Sequence, residues 1–232
     1  MKKIGFIGAY DKIDLILYIA KLLRAMGKKI MIIDATILQK AKYIVPVVNP
    51  TTSYVTEFEE MDVAVGFKDM DSIKEYLGMP LHAEFEYDYI LYDIDSPSAF
   101  ERFNIMDANK KYFVTAFDLY SLKRGLEILA GLRESIQITK VLFSKNATKE
   151  EDEYLNYLAL GYKISWSEER VYFPFDTNDQ SVLMENQRVS KVKLKKLSTQ
   201  YKESLMYITE DILEGQEVND LRKVFKQLER GV

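Results

Sequence analysis

The first 34 residues alternate between short apolar runs and one longer segment with helical periodicity. The apolar run at residues 3–8 predicts a buried strand, and apolar residues then recur with a helical period through residues 13–26. Gly27 supplies a stop signal for that helix, and a second apolar run at residues 29–34 predicts a second buried strand. A strand, a helix and a strand in this order form a βαβ unit, which builds a parallel sheet through a right-handed crossover.

The same alternation continues along the rest of the chain. Further strands are predicted over residues 63–67, 89–93, 111–116, 138–144 and 171–175. Helices are predicted over residues 72–77, 119–133, 149–160 and most of 177–230. This order predicts an α/β fold with a doubly wound, mostly parallel sheet, helices on both faces and ligands at the carboxyl ends of the strands. We expect residues 89–93 and 111–116 to form adjacent or near-adjacent central strands.

Length and composition limit the number of domains and the kinds of chemistry. The chain has 232 residues, 47% of them hydrophobic, with no repeat or Gly/Ser linker, which predicts one domain over residues 1–232 with a helical segment at 177–232. It has no cysteine, and His82 is its one histidine, so thiolate chemistry, Cys-ligated metals and most histidine triads are excluded. Without a signal peptide or an apolar stretch of roughly 18 residues, we expect a cytoplasmic location, free or peripheral at the inner face of the membrane.

The junction between the first strand and the first helix, GAYDKID at residues 8–14, is the first candidate site. In P-loops, glycines let backbone N–H groups wrap around phosphates, a lysine neutralises charge, and a Ser or Thr holds Mg²⁺. Gly8 and Lys12 fit such a loop, but Asp11 adds a carboxylate, which at ~4 Å and an effective dielectric of ~20 costs on the order of 4 kcal/mol against a phosphate. The hydrocarbon side chain of Ile13 cannot ligate a hard cation.

Several motifs over roughly residues 1–185 resemble the MinD/ParA family of deviant P-loop NTPases. Its pattern K-G-G-x-G-K-T-T, then a helix, then G-K-K-V-L-L-I-D, places Gly8 on a family glycine and Lys12 on the main P-loop lysine. Asp34 stands at the first Asp of the family's I-D-x-D motif. YDYILYD at 87–93 resembles the Walker B segment Y-D-Y-I-I-I-D, with Asp93 at the Mg²⁺ position, and SLKRG at 121–125 is similar to the family's S-L-R-G. The resemblance implies a vestigial nucleotide site at Gly8, Lys12, Asp34 and Asp93.

The departures from that family pattern predict loss of activity. Ile7 replaces the lysine that crosses the family's dimer, and Ile13 replaces the Mg²⁺-binding Thr. Thr36 stands where an Asp activates water, and Ser144 stands where an Asn lies near the adenine. We therefore expect no catalytic residues, no metal site and no cofactor; ATP and Mg²⁺ are expected only if the loop functions despite its substitutions. For Asp34, Asp93 and Asp95 a metal site and simple capping of strand ends both stay open.

Two C-terminal features suggest surfaces for partners. Residues 188–202 carry six cations and no acid in a chain of net charge −4. They are either a solvated basic face or a polyanion-binding site for DNA or an anionic membrane, formed by Arg188, Lys191, Lys193, Lys195 and Lys196. Residues 218–232 predict a helix with one apolar face, Leu221, Val224, Phe225 and Leu228. That face could pack on the domain or a partner, or lie on a membrane, as the short C-terminal helix of MinD proteins does.

Three functional hypotheses follow from these residues and from the resemblance. The first is a non-hydrolysing MinD/ParA-like protein that serves as an intracellular localisation or assembly platform through protein–protein contacts, by analogy with the TadZ/CpaE pilus-assembly proteins. The second is an active, divergent ATPase of DNA partition or positioning, and the third is a nucleic-acid-binding accessory protein. Because Ile7 removes the lysine that crosses the dimer, we expect a monomer or a nucleotide-independent homodimer through that face, with Tyr10 and Ile13 in contact.

Overall fold

The structure, a computed structural model, describes residues 1–47, 52–145 and 148–230. Apolar runs of the sequence form one eight-stranded sheet. Its strands are β1 (Lys2–Ile7), β2 (Ile30–Asp34), β3 (Tyr54–Phe58), β4 (Met61–Val65), β5 (Tyr89–Ile94), β6 (Lys110–Ala116), β7 (Ile136–Ser144) and β8 (Ile164–Pro174). They lie in the order β3-β4-β2-β5-β1-β6-β7-β8, and all neighbours are parallel except the hairpin of β3 and β4.

Helices cover both faces of this sheet. They are α1 (Ile13–Ala25), α2 (Ala41–Ile44), α3 (Met70–Tyr76), α4 (Pro97–Arg102), α5 (Leu119–Glu127), α6 (Lys149–Leu158), α7 (Thr177–Arg188), α8 (Thr199–Ile212) and α9 (Val218–Arg230). Helices α1, α7, α8 and α9 bury side chains in one core cluster, and α3, α4, α5 and α6 in the other. Successive residues of β5 alternate between the two, since Leu91 belongs to the first cluster and Tyr92 to the second. The predicted doubly wound fold is confirmed.

Local polar side chains set where most of these helices begin. Asp69, Ser96, Asp118, Thr148 and Ser198 each precede a helix and accept a hydrogen bond from a backbone N–H of its first turn. Helix α1 differs, because it starts after Lys12 with no side-chain cap. The Ile13 N–H of its first turn instead donates to Oδ1 of Asp11 at 3.4 Å, at the carboxyl end of β1, where a ligand of a doubly wound sheet would lie.

The two predicted central strands occupy the expected places, because β5 and β6 both pair with β1. The sequence prediction missed β3, α2 and α4, which are short. It also missed the first half of β8, which was predicted to start at residue 171 and starts at Ile164. This half lies at the edge of the sheet and is largely exposed; its apolar residues, Ile164 and Trp166, alternate with polar ones and form no apolar run. Residues 48–51 lie outside the described residues.

Pairing of β7 with β8 is interrupted once. Ile138 pairs with Trp166 and Lys140 with Arg170, so one residue of β7 faces three of β8, including the exposed Glu168 and Glu169. The unequal number of residues on the two strands makes this a bulge in β8, the outermost strand of the sheet.

The C-terminal helix packs on the domain, which confirms one of the two interpretations of its apolar face. Leu221 and Phe225 of α9 are buried in the core cluster that also contains α1 and α8. Lys28 pairs with Glu217 at 2.9 Å, just before this helix, and Lys202 pairs with Glu229 at 2.8 Å. Residues 231–232 lie outside the described part of the chain. Among the described residues, no helix is both long and apolar enough to cross a membrane.

Shortening a buried side chain of β5 should destabilise the fold strongly. Leu91 is fully buried at the centre of the sheet, so Leu91→Ala should lower the free energy of unfolding by roughly 2–5 kcal/mol through lost burial and a residual cavity. Urea denaturation measures the difference. The control is Leu38→Ala, which removes the same atoms from a side chain that is 67% exposed and should change stability by less than about 0.5 kcal/mol. Equal effects of the two variants would contradict the strand assignment.

Candidate functional site

The loop that joins β1 to α1 is fixed by the close approach of its backbone to β6. Gly8 has a φ of +153°, and a Cβ atom there would lie 2.0 Å from the carbonyl oxygen of Val114. Only glycine fits this position. Gly125 of α5 also lies close, since a Cβ there would be 2.9 Å from the Phe113 ring and 3.6 Å from the backbone nitrogen of Ala9. The loop is therefore held between β6 and α5 at the carboxyl end of the sheet.

Lys12 and Asp93, two of the residues predicted for the nucleotide site, meet beneath this loop. The Lys12 side chain is 2% exposed, and its Nζ lies 2.7 Å from Oδ1 of Asp93, which is 4% exposed. The same ammonium donates a hydrogen bond of 2.8 Å to the carbonyl oxygen of Gly8. Burial raises the pKa of Asp93 to about 7, and the nearby ammonium of Lys12 opposes that rise. The charge of Lys12 is thus directed into the protein and not toward solvent.

Asp34, the fourth residue predicted for the nucleotide site, organises the chain after β2. Its Oδ1 accepts hydrogen bonds from the backbone N–H of Thr36 at 3.0 Å and from the Thr36 hydroxyl at 2.5 Å. Its Oδ2 accepts one from the backbone N–H of Ala41 at 2.9 Å, at the start of α2. Three hydrogen bonds from its own loop therefore hold this carboxylate at the end of β2.

Residues 35–40 form a loop, which we call the cover loop, that makes two further contacts with the site. Asp95 accepts the backbone N–H of Ile37 at 3.0 Å, and Lys40 Nζ lies 2.5 Å from Asp11 Oδ2. Asp11 thus places a carboxylate in the loop between β1 and α1, and Lys40 of the cover loop pairs with it. No group of three or more acidic, histidine or cysteine side chains among the described residues is placed to hold a metal ion.

A small cleft lies between the cover loop and the loop that joins β1 to α1. Its volume is about 70 Å³, well below the roughly 300–1,000 Å³ of pockets that bury drug-sized ligands. The cleft is lined by Ala9, Tyr10, Asp11, Lys12, Thr36, Leu38, Lys40, Asp93 and Asp95.

An aromatic cluster closes the side of the site next to β7 and β8. The Tyr10 ring lies 4.7 Å from the Phe143 ring and 6.2 Å from the Phe175 ring, centroid to centroid. Burial raises the pKa of the Tyr10 hydroxyl to about 12. Ser144, at the position that the family resemblance places near the adenine, donates to Glu151 of α6 at 2.6 Å. Asn146, which follows in the same motif, lies outside the described residues. One feature of the sequence pointed to this cluster: Tyr10 is an aromatic residue within the predicted phosphate-binding loop.

One expectation about the face around this site is wrong. Ile13 is fully buried and offers no contact to a second subunit. Ile13 is buried because residues 13, 16 and 20 lie on the same face of α1, and this face packs against the core. Large apolar side chains that are exposed at the carboxyl end of the sheet include those of the cover loop and the start of α5: Ile37, Leu38, Leu119 and Tyr120.

The basic residues after α7 are presented on an anchored segment. Leu194 and Leu197 are buried, while Lys193, Lys195 and Lys196 between and beside them are exposed. The carbonyl oxygen of Lys193 accepts hydrogen bonds from the Tyr18 hydroxyl at 3.1 Å and from the Asn186 amide at 3.0 Å. Arg188 and Lys191 are also exposed, and Lys196 pairs with Glu185 at 2.9 Å. The five predicted polyanion-binding residues therefore lie on the surface, one of them already paired.

This fold and site define a class of protein. A mostly parallel sheet with a glycine–lysine loop between β1 and α1, and with the lysine facing an aspartate on β5, has the architecture of a P-loop NTPase. More narrowly, the chain has the fold of MinD and of plasmid partition proteins, as predicted from its motifs. Structural comparison with known proteins shows this likeness of fold.

A chain of the MinC:MinD cell division protein complex of Aquifex aeolicus superimposes with a TM-score of 0.55 at 13% identity, covering 94% of this chain and 97% of that one. A putative plasmid partition protein of Borrelia burgdorferi B31 bound to AMPPNP gives a TM-score of 0.52 at 12% identity, covering 92% and 97%. A further plasmid partition protein of Borrelia burgdorferi gives 0.50 at 13% identity, covering 92% and 99%. No protein-family model and no curated protein matches the chain.

Asp14, in the first turn of α1, should make stability depend on pH. Its Oδ2 accepts a hydrogen bond from Gln187 at 2.8 Å, and burial, with a contribution from Asp11, raises its pKa to about 7. The folded protein then holds this proton more tightly than the unfolded chain, so stability should fall as pH rises from about 4 to 7. Between pH 5 and 7.5 the loss due to Asp14 should be on the order of 2 kcal/mol.

The measurement is urea denaturation of the wild-type protein and of Asp14→Asn at both pH values. Asparagine keeps the acceptor for Gln187 but cannot titrate, so the variant should lose less stability over this range than the wild type. Asp93 titrates in both proteins and cancels in the comparison. Asp71→Asn, at an exposed site in α3, serves as the control and should leave the pH dependence unchanged. Identical pH dependence for the wild type and Asp14→Asn would refute the prediction.

Proposed function

We propose that this chain is a non-hydrolysing protein of the MinD/ParA fold that serves as a localisation or assembly platform through protein–protein contacts. One observation carries the proposal: the Lys12 ammonium is buried and neutralised by Asp93 and the Gly8 carbonyl. A working P-loop lysine must offer its charge to phosphate. Here that would require breaking a buried ion pair, and breaking such a pair leaves an uncompensated charge in the protein.

The other positions of the loop support the same proposal. Ile13 is buried and carries no oxygen for Mg²⁺, and the carboxylate of Asp11 lies where a polyphosphate would meet it. The partition protein of Borrelia burgdorferi was solved with AMPPNP, an ATP analogue, and the Aquifex protein was solved as a MinC:MinD complex. The first comparison indicates what the fold can bind when its loop is suited to it. The second favours a protein partner.

The face around the site suits a protein contact. Ile37 and Leu38 are 65% and 67% exposed, yet the cover loop that carries them is held by Asp34, Asp95 and Asp11. Exposed apolar side chains on an ordered loop lose little conformational entropy when they are covered. This favours a homodimer or a partner contact that forms without nucleotide.

Titration with Mg²⁺ and ATP tests the proposal. We expect isothermal calorimetry of the wild-type protein to show no saturable binding at micromolar concentrations and a phosphate-release assay to show no turnover. The physical reason is the internal neutralisation of Lys12 together with the missing Mg²⁺ ligand at Ile13. Light scattering of the same samples should give a mass that does not change when ATP is added.

The control is Lys12→Ala, which removes the ammonium on which any P-loop binding would depend. A micromolar dissociation constant in the wild type that is lost in Lys12→Ala would overturn the proposal and favour an active, divergent ATPase. A dimer that appears only with ATP would have the same consequence.

A polyanion contact is a second candidate function, and the exposed lysines after α7 favour it. Replacing Lys191, Lys193 and Lys195 by Glu should abolish binding to duplex DNA or to anionic liposomes, because the contact rests on charge alone. With about three phosphate contacts, log affinity should fall against log salt with a slope of roughly −3. Filter binding and liposome sedimentation at several salt concentrations measure both effects.

The matched control reverses three exposed lysines elsewhere, Lys123, Lys145 and Lys226. If both triple variants weaken binding equally, the protein binds polyanions only through its overall charge. If the wild type binds neither DNA nor liposomes at low salt, the segment is a solvated basic face.

A further inference from the structure

A second, larger groove lies at the opposite end of the sheet, where the parallel strands begin. It has a volume of about 790 Å³, within the roughly 300–1,000 Å³ typical of ligand pockets. One wall is the segment from the end of α3 to the start of β5, and the other is formed by the end of α1 and the β3–β4 turn. The groove shares no lining residue with the cleft at Lys12.

The floor and one rim of this groove are apolar. Phe85 is buried beside Tyr87, with the two ring centroids 5.9 Å apart, and Ile30 lies at the start of β2. Leu77 and Met79 line the same wall, and Leu81 beyond them is 61% exposed. Contiguous exposed apolar residues around a concave floor are typical of a protein-binding surface.

The walls are ordered by hydrogen bonds that do not involve a ligand. Lys74 Nζ donates to the carbonyl oxygen of Leu81 at 2.6 Å and lies 5.8 Å over the Phe85 ring. The Tyr87 hydroxyl donates to Asp62 at 2.7 Å, and Arg24 Nε donates to the carbonyl oxygen of Glu60 at 3.1 Å. A groove held in this way is preformed, so a bound segment need not order it.

The charge around the groove indicates what kind of segment would fit. Four carboxylates line it, those of Glu60, Asp62, Glu84 and Glu86, against two cations, Arg24 and Lys29. Arg24 is paired with Glu60, and Lys29 lies 3.7 Å from an oxygen of Glu86. The lining therefore carries more negative than positive groups, and a cationic segment complements that excess better than a wholly apolar one.

We propose that this groove binds a cationic amphipathic segment of a partner protein, with its apolar side chains on the Phe85 and Tyr87 floor and its lysines or arginines toward Glu84 and Glu86. The inference extends the proposed platform function, because it names a class of partner. It uses no residue of the nucleotide site, so either proposal can fail alone.

The test uses three fluorescein-labelled peptides of 12 residues: alternating leucine and lysine, alternating leucine and glutamate, and alternating glycine and lysine. Fluorescence polarisation at physiological salt should show saturable binding of the leucine–lysine peptide, at least tenfold tighter than that of either other peptide. The double variant Glu84→Lys with Glu86→Lys should weaken it at least tenfold, and so should Met79→Glu. The control pair, Glu150→Lys with Glu203→Lys at exposed positions of α6 and α8, should change affinity less than twofold.

Circular dichroism and thermal melting of each variant establish that a lost signal reflects the groove and not unfolding. The proposal is overturned if the leucine–lysine peptide does not bind, or if the control pair weakens it as much as the groove pair. It is also overturned if sedimentation shows the wild-type chain self-associating through this groove, with Glu84→Lys and Glu86→Lys restoring the monomer. ATP turnover in the same protein would contradict the platform function and leave the groove result standing.

Discussion

The ion pair between Lys12 and Asp93 joins the first strand–helix junction to the central strand β5. Both groups are buried, and a buried charge is tolerated only when it is paired and hydrogen-bonded. Here the third partner is the carbonyl oxygen of Gly8, whose backbone passes so close to β6 that no side chain fits. The loop, the central strand and the start of α1 are thereby fixed relative to one another.

Carboxylates at the ends of the strands serve the same internal purpose. Asp34 bonds to its own loop, Asp95 to the cover loop, and Asp11 to Lys40. Hydrogen bonds and ion pairs within the chain thus connect the strand ends and order the carboxyl end of the sheet.

The sequence predicted the parts of the fold whose residues are buried on both sides. Strands such as β2 and β5 are continuous apolar runs, and α1 has a clear helical period, so their type and order followed directly. The first half of β8 was missed because an edge strand keeps polar residues, and β3 was missed because its five residues are half-exposed.

The candidate site was predicted less completely than the fold. Motifs placed Lys12 and Asp93 at the same end of the sheet, but a pattern along the chain does not reveal that the two side chains contact each other. The roles of Lys40 and Tyr10 depend on loops that approach from other parts of the sequence. The burial of Ile13, in contrast, could have been predicted from its place in the period of α1.

The bulge in β8 limits how copies of this protein can assemble. A strand from another molecule that aligned with this edge would meet a break in the regular spacing of its hydrogen-bond donors and acceptors, next to the carboxylates of Glu168 and Glu169. Sheet extension from molecule to molecule, the route to fibres and amorphous aggregates, is therefore disfavoured at this edge. Copies of the chain can then crowd together at high concentration while their sheets stay separate.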